Sequence, residues 1–578
     1  MNLWQKGYLY FHTVKYFRPV QLFYQLKYRL SGYTCPRSEL RYQGRPKLVK
    51  TAISGLDLDK KYIERFQPEA LLQNRILLLE EWMEWKSGQW QDKEKTHLWN
   101  FNLHYGEYLV ALAGRYRQSG DFQYVEKFKE LYLDWHQGFE EKAYPDAWHP
   151  YTASLRIVNL FICMELLGDA VGKDEKFWKL LLQDQYRTYL FIKDNEEKNL
   201  FGNHYFENLC AVYIASVFFQ EDTVSDTYEK LLMGEVEEQI LSDGMHYERS
   251  FMYHNRILED LMRLVLVGGQ REKKNRKFLK KIKDNMYRMA EVVHSLEIGK
   301  ADENIRVPLF NDAGSNVAKT PASLLQALKK EFGYTPKIRY SFSQAGYFKL
   351  ENKKLSLLFD CGKIGPDYMT GHSHCDALSF ELFFKGIPVL VNAGTFQYQT
   401  GLRPFFRSDY AHNTLQVNGE NQSECWGEHR TGRRMKVVDI QDNTPVSVGG
   451  VICTYRGRRI KRQIVLEEKR VKLTDRVWGL QGENNRVSSY FRLHPDFQIG
   501  RGRKSGERLL LHKKSKLQFA IEAVKGSWME HRTGELCYYS EQFGSLEQTE
   551  VLELRQKAKG DRIKQQIMIS IVEVDTDD

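Results

Sequence analysis

The hydrophobic period of this chain changes once, near residues 335–342, and that change limits the folds open to it. From about residue 65 to 335, stretches such as "NRILLLEEWMEW", "YGEYLVALAGRYRQSG", "ASLRIVNLFICMELLG" and "RILEDLMRLVLVGG" repeat apolar residues every three or four positions. That is the spacing of amphipathic helices. After "FGYTPKIRYSFSQAGYFKL" short alternating runs take over, among them "LSFELFFKGIPVLVNAG", "HNTLQVNG" and "RRIKRQIVLEE", broken by frequent turns. Helices in succession with no strand between them exclude a βαβ fold. The expected class is therefore multidomain α and β: paired helices wound into a solenoid or a closed ring, the ring being an (α/α) toroid, followed by an antiparallel β-sandwich. We divide the chain into a basic, aromatic extension packing on the toroid (1–60), the toroid (61–338) and the sandwich (339–578).

Composition narrows the partners. Hydrophobic residues make up 42% of the chain and aromatics 13%, which excludes a disordered protein. Lys and Arg outnumber Asp and Glu by 85 to 75, and the net charge of +10 favours an anionic partner. No zinc-finger spacing, aromatic–basic RNA signature or basic tail points to nucleic acid, and an acidic polysaccharide fits the charge equally well. Eight scattered cysteines without a CxxC exclude a disulfide framework and a Cys-ligated zinc site. The opening stretch "MNLWQKGYLYFHTVKYFRPVQLFYQLKYRL" lacks the apolar run and cleavage site of a signal peptide. The expected location is therefore cytoplasmic, with export or surface association as the alternative. That stretch reads as a helix packed on the main body or as an amphipathic helix lying on a membrane surface. No apolar run reaches the roughly 20 residues of a transmembrane helix.

Three groups of residues carry chemistry. In "GNHYFENL" (202–209), His204 and Glu207 are three apart and share a helical face, with Asn203 just before them. A glutamate accepting from an imidazole fixes its tautomer, and a helix N-terminus favours anions; a His–Glu pair at this spacing is also common on solvated helices. In "SDGMHYERSFMYHNRILEDL" (242–261), a helix is expected to begin at Arg256, leaving Tyr247, Arg249, Tyr253 and His254 in the loop or first turn. Tyrosine acts as acid or base when cationic neighbours lower its pKa, and Arg249, His254 and Arg256 are the neighbours on offer. In "GHSHCDALSFELFFKGIPVLVNAGTFQY" (371–398), His372 and His374 are spaced to point the same way on an extended chain. His374 and His412 fall on different predicted strands, with Asn392 at a strand end between them. Two imidazoles and an oxygen ligand suit zinc with an open fourth position; histidines satisfied within a sandwich core are the alternative. A cupin is excluded because Glu381 comes seven residues after His374, too late for that motif.

Together these motifs, with "LRPFFRSDYAHNTL" and "AWHPYTASLRIVN", resemble the heparinase II/III family of polysaccharide lyases. The amino-terminal stretch is similar to members associated with bacterial exopolysaccharide clusters. The resemblance implies β-elimination at a uronic acid. Asn203 and His204 would neutralise the carboxylate, and Glu207 would orient His204. Tyr253 and His372 would meet as base and acid, with Tyr247 as the substitute tyrosine. It also makes His374, Asn392 and His412 the ligands of a structural zinc, although the family commonly has aspartate where this chain has Asn392. Trp148, Arg156, Tyr247, Arg249, His254, Arg403 and Arg407 are candidates for sugar stacking and anion binding. Domain-interface salt bridges are the alternative role for the arginines. Two other activities stay open: a glycan-binding protein of exopolysaccharide assembly that does not cleave efficiently, and a zinc-dependent glycan hydrolase.

Overall fold

The computed structural model describes residues 3–34, 42, 53–139, 144–296, 306–482, 485–558 and 560–573. Two helices, α1 (Leu3–Val14) and α2 (Pro19–Ser31), lead the chain; Pro19 sits at the first position of α2, where its missing N–H is not needed. A run of helices follows, and successive members pack on one another: Glu107–Ser119 on Gln123–Phe139 and Pro150–Leu167, Gly202–Phe218 on Asp222–Gln239, and Phe251–Gly268 on Glu272–Leu296. Capping is explicit in the sequence. Thr96, Asp174, Ser250 and Thr320 each accept a backbone N–H of the first turn they precede. Their inward faces form one apolar core that includes Trp90, Trp99, Tyr213 and Met286. A short hairpin, Arg75–Leu78 with Glu81–Glu84, interrupts the helical half.

The last helix of this half ends at Phe332 and the first strand begins at Ser341. All strand pairings within the sheets are antiparallel. An eight-stranded, a four-stranded and a five-stranded sheet make up the body of this half. The hairpin read from "GYFKLENKKLSLLFDCG" is formed by Tyr347–Glu351 and Leu355–Asp360, in register Leu350↔Leu357. Strand Phe380–Phe384 is buried along its whole length and turns through Lys385–Gly386, both at positive φ, into Ile387–Leu390. Phe348, Phe380, Phe491 and Ile567 belong to the second core.

Two features lock the halves together. Segment 306–320, after the last long helix, runs between them: the Asp312 N–H donates to the His372 carbonyl, and the His374 N–H donates to Asn311 Oδ1. Met245, Phe251, Phe310, Phe342, Tyr347 and Tyr539 then form an apolar cluster drawn from both halves. The site lies beside this seam.

Candidate functional site

A cleft of about 320 Å³ opens between the helical half and the sandwich, and Asn203, His204, Tyr253, Arg256, His372 and Tyr398 line it. Each side chain is aimed by its own local device. The chain enters helix Gly202–Phe218 through two residues in the left-handed region, Phe201 and Gly202, at φ 61° and 62°. Only glycine fits the second: a Cβ there would lie 2.5 Å from Met369 Cε and 2.7 Å from Glu248 Oε1. Glu248 instead accepts the Asn203 N–H at 2.9 Å and so caps the helix start. The Asn203 side-chain amide faces the cleft, 1% exposed, with neither its oxygen nor its nitrogen hydrogen-bonded among the described residues. A buried amide left open in this way is costly unless a ligand completes it.

The helix carrying Tyr253 begins at Phe251, five residues earlier than expected, because Ser250 caps it by accepting the Tyr253 N–H at 3.3 Å. This places the Tyr253 phenol against the His372 imidazole, ring centroids 3.9 Å apart and planes within 18°. The Tyr253 and Tyr398 hydroxyls are 2.7 Å apart. His372 Nδ1 donates to Glu248 Oε2 at 2.5 Å, which fixes the tautomer that leaves Nε2 as an acceptor. One carboxylate thus holds both the helix bearing Asn203 and the imidazole from the opposite half. Burial alone would raise Glu248, yet the adjacent His372 holds it below the usual carboxylate range. Burial, reinforced by Tyr398 and Asp312, keeps the Tyr253 phenol well above its ordinary value, so it is a proton donor at neutral pH. The expected cationic neighbours do not lower it. Arg249 turns to the Ala345 and Tyr247 carbonyls, while His254 bonds the His246 N–H and lies 3.0 Å from the Met289 carbonyl.

His204 stacks on Tyr151 at 4.3 Å and donates from Nδ1 to Glu197 Oε1 at 2.8 Å. The orienting carboxylate is therefore Glu197, not Glu207. Glu207 shares the helix with His204, but Arg256, from a neighbouring helix, takes it at 2.8 Å. Burial is the largest influence on His204 and pulls its pKa down; Glu197 outweighs it and the net shift is upward, favouring the imidazolium. His204 therefore puts positive charge on the same wall as the open Asn203 amide, whereas the charge of Arg256 is met by Glu207, Glu107 and Glu259.

The residues assigned to sugar and anion binding lie elsewhere. Trp148 packs edge-on to Phe191, Arg156 donates to the Ala147 carbonyl at 2.9 Å, and Tyr247 bonds Tyr368 at 3.1 Å. Arg403 is ion-paired with Asp312, and Arg407 donates to the Ser373 carbonyl at 3.0 Å. None of these, nor Arg249 or His254, lines the cleft. The arginines among them are buried donors that satisfy carbonyls and a carboxylate within the fold, and the chemistry of arginine suits that task equally.

His374 and His412 lie in loops, not on strands, and His372 and His374 diverge instead of pointing together. His374 Nδ1 and His412 Nε2 are 3.3 Å apart, and His374 Nε2 lies 2.8 Å from Asp312. Asp312 already meets the Arg403 guanidinium, with Nη2 donating at 2.7 Å. Asn392 Oδ1 accepts the Asn413 N–H at 3.1 Å. Two neutral imidazoles and an amide supply no anionic ligand, and Arg403 offsets the one carboxylate nearby. Among the described residues no group of three or more His, Cys, Asp or Glu side chains is placed to hold a metal. These residues do not fit a zinc cage; they form a hydrogen-bonded hub behind His372.

Sequence reading missed Glu197, Glu248, Tyr398 and Asp312. Glu197 stands just before one motif and Glu248 inside another, but their partners are 7 and 124 positions away. Tyr398 closes the quoted sandwich motif, and nothing in the motif itself marks it as a partner of Tyr253.

Comparison with known proteins agrees with this architecture. The model of the heparinase II/III N-terminus matches residues 51–340, and that of the heparinase II/III-like C-terminal region matches 335–573. A heparin-sulfate lyase of Bacteroides thetaiotaomicron is 23% identical over 390 residues, 59% of this chain and 54% of that protein. One from Pedobacter heparinus is 21% identical over 360 residues, 57% and 53%. The match thus spans about half the length of these curated relatives. In three dimensions, the crystal structure of heparinase III superposes with a TM-score of 0.68 at 18% identity, covering 96% of this chain and 92% of that one. Heparan sulfate lyase HepC from Pedobacter heparinus gives 0.56 at 16% identity, covering 96% and 88%. These likenesses establish a shared fold.

Proposed function

This chain belongs to the heparinase II/III family, and from that premise we propose that it is a polysaccharide lyase cleaving a uronic-acid-containing polysaccharide by β-elimination. The observation that carries the reading is the contact of Tyr253 with His372 at 3.9 Å, in a cleft whose wall presents the unpaired amide of Asn203. Charge develops on the uronate carboxylate as the C5 proton leaves. Donors already fixed in a water-poor cleft stabilise that charge without reorganising. Asn203 and the His204 imidazolium are such donors.

His372 Nε2 takes the C5 proton, since Glu248 occupies Nδ1 and holds the ring in place. The released electron pair forms the C4–C5 double bond and the C4–O4 bond breaks. Tyr253, a neutral phenol, gives its proton to the departing O4, and Tyr398 is positioned to hand a proton back to it. No water is consumed. One product ends in an unsaturated uronate and the other in a new hydroxyl. The relatives are named for heparin sulfate, so sulfated and unsulfated glycosaminoglycans are the first substrates to try, followed by bacterial acidic exopolysaccharides.

Product mass separates this reading from the alternatives. Elimination leaves oligosaccharides one water lighter at the new non-reducing end, with ultraviolet absorbance. Saturated products of full hydrolytic mass would instead point to a hydrolase. Binding without any cleavage across the panel would point to a glycan-binding protein.

A further inference from the structure

The two leading helices are amphipathic in the wrong sense for a pair that only packs on a protein. The hydrogen bonds and ion pair that hold them to the body come from polar side chains. Thr13 accepts from Trp426 Nε1 at 3.1 Å, Arg18 pairs with Glu238, and Gln21 donates to the Tyr368 carbonyl at 3.3 Å. Tyr28 donates to the Glu196 carbonyl at 2.9 Å. The apolar residues face out: Trp4 is 89% exposed, and Phe11, Phe23, Leu26 and Leu30 are each more than half exposed. Among the other described large apolar residues only Ile338, Val446 and Val524, scattered along the chain, are as open. Exposed apolar residues gathered on one pair of helices in this way mark an interaction site.

Charge selects the occupant. The first 38 residues contain Lys6, Lys15, Arg18, Lys27, Arg29 and Arg37 and no Asp or Glu. Lys6 and Arg29 are exposed on the helices themselves, and Lys15 is exposed in the turn just after α1. Exposed Trp, Tyr and Phe flanked by Lys and Arg is the composition of a surface lying at a lipid headgroup boundary. Helices of 12 and 13 residues are too short to span a bilayer, and no helix among the described residues is long and apolar enough to do so.

We infer that α1 and α2 form an interfacial anchor that docks the protein on an anionic membrane surface. The same helices reach the cleft from their other side through Thr13, Phe17, Gln21 and Gln25. Docking therefore sets the cleft directly beneath the lipid headgroups, where a membrane-associated or emerging glycan would meet it. This inference goes beyond the proposed reaction and stands whether or not the glycan is cleaved.

Flotation of the full chain with vesicles tests it, using phosphatidylcholine alone and phosphatidylcholine mixed with phosphatidylglycerol. The full chain is expected to float with the anionic vesicles, less so at high salt. The combined variant Trp4→Ala, Phe11→Ala, Phe23→Ala, Leu26→Ala is expected to bind at least about a hundredfold more weakly. Lys6→Ala with Arg29→Ala is expected to weaken binding about twentyfold. Both variants should unfold at the wild-type temperature, since none of these side chains is buried and none lines the cleft. Failure of the wild type to float, or equal flotation with neutral vesicles, would overturn the inference. So would a wild-type dimer in sedimentation velocity that the apolar variant makes monomeric without any vesicle binding; a second copy would then be the true cover.

Discussion

His204 shows how one proton ties binding to folding. Glu197 holds its pKa above 6.5 against the pull of burial, so the folded protein keeps the imidazolium to higher pH than the unfolded chain does. Two consequences share a sign. The stabilisation contributed by this proton is complete below about 6.5, and it is lost as pH rises through the raised folded value. Over the same interval the cation that we propose meets the substrate carboxylate disappears, so kcat/KM is expected to fall on the alkaline side. His204→Gln should remove that limb and lower kcat/KM by about a hundredfold at neutral pH, as a pH–rate profile and parallel thermal unfolding would reveal. The position of His204 was legible in "GNHYFENL"; its partner was not. Helical spacing puts Glu207 within reach, but it cannot weigh the imidazole against a guanidinium arriving from another helix. Arg256 wins that competition, and Glu197 becomes available only because the chain reverses at Phe201–Gly202.

At the scale of elements, the site depends on where two helices begin. The sequence motifs located Asn203 and Tyr253 correctly near helix starts. The start at Phe251 was placed too late because the cap, Ser250, sits inside a polar run with no apolar period to mark it. Gly202 fixes the other start, and its need for glycine is both conformational and steric. Gly202→Ala is therefore expected to destabilise the fold by about 1–3 kcal/mol. It should lower activity beyond that loss by pushing Glu248 off the Asn203 N–H, measured as kcat on protein that remains folded. The sandwich strands were readable from their alternation, whereas the loops bearing His372, His374 and His412 were not. An extended reading of "GHSHC" sends the two imidazoles to one side, but the loop sends one to Tyr253 and the other to Asp312. That divergence separates the candidate catalytic imidazole from the buried hub.

For the whole molecule, the order of helical half and sandwich followed directly from the change of hydrophobic period. How the halves meet did not, because segment 306–320 and the tip around Phe543 have no periodicity of their own and act only through long-range contacts. The hub of His374, Asp312, Arg403 and His412 joins the loops behind His372 by hydrogen bonds and one buried ion pair. Chelator treatment is accordingly expected to leave the unfolding temperature unchanged, and the purified protein should carry zinc well below one equivalent. Stoichiometric zinc whose removal lowers the unfolding temperature would show that Asn392 ligates despite its neutral amide.

The central claim is that an imidazole from the sandwich and a phenol from the helical half divide one elimination between them. Deuterium exchange at the uronate C5, followed by NMR alongside release of the unsaturated product, tests it most directly. With wild-type protein the product should form. Tyr253→Phe should cut product release by about two to four orders of magnitude while C5 exchange continues, and His372→Gln should abolish both. A His372→Gln variant that still exchanges the C5 proton and releases product at the wild-type rate would contradict the account.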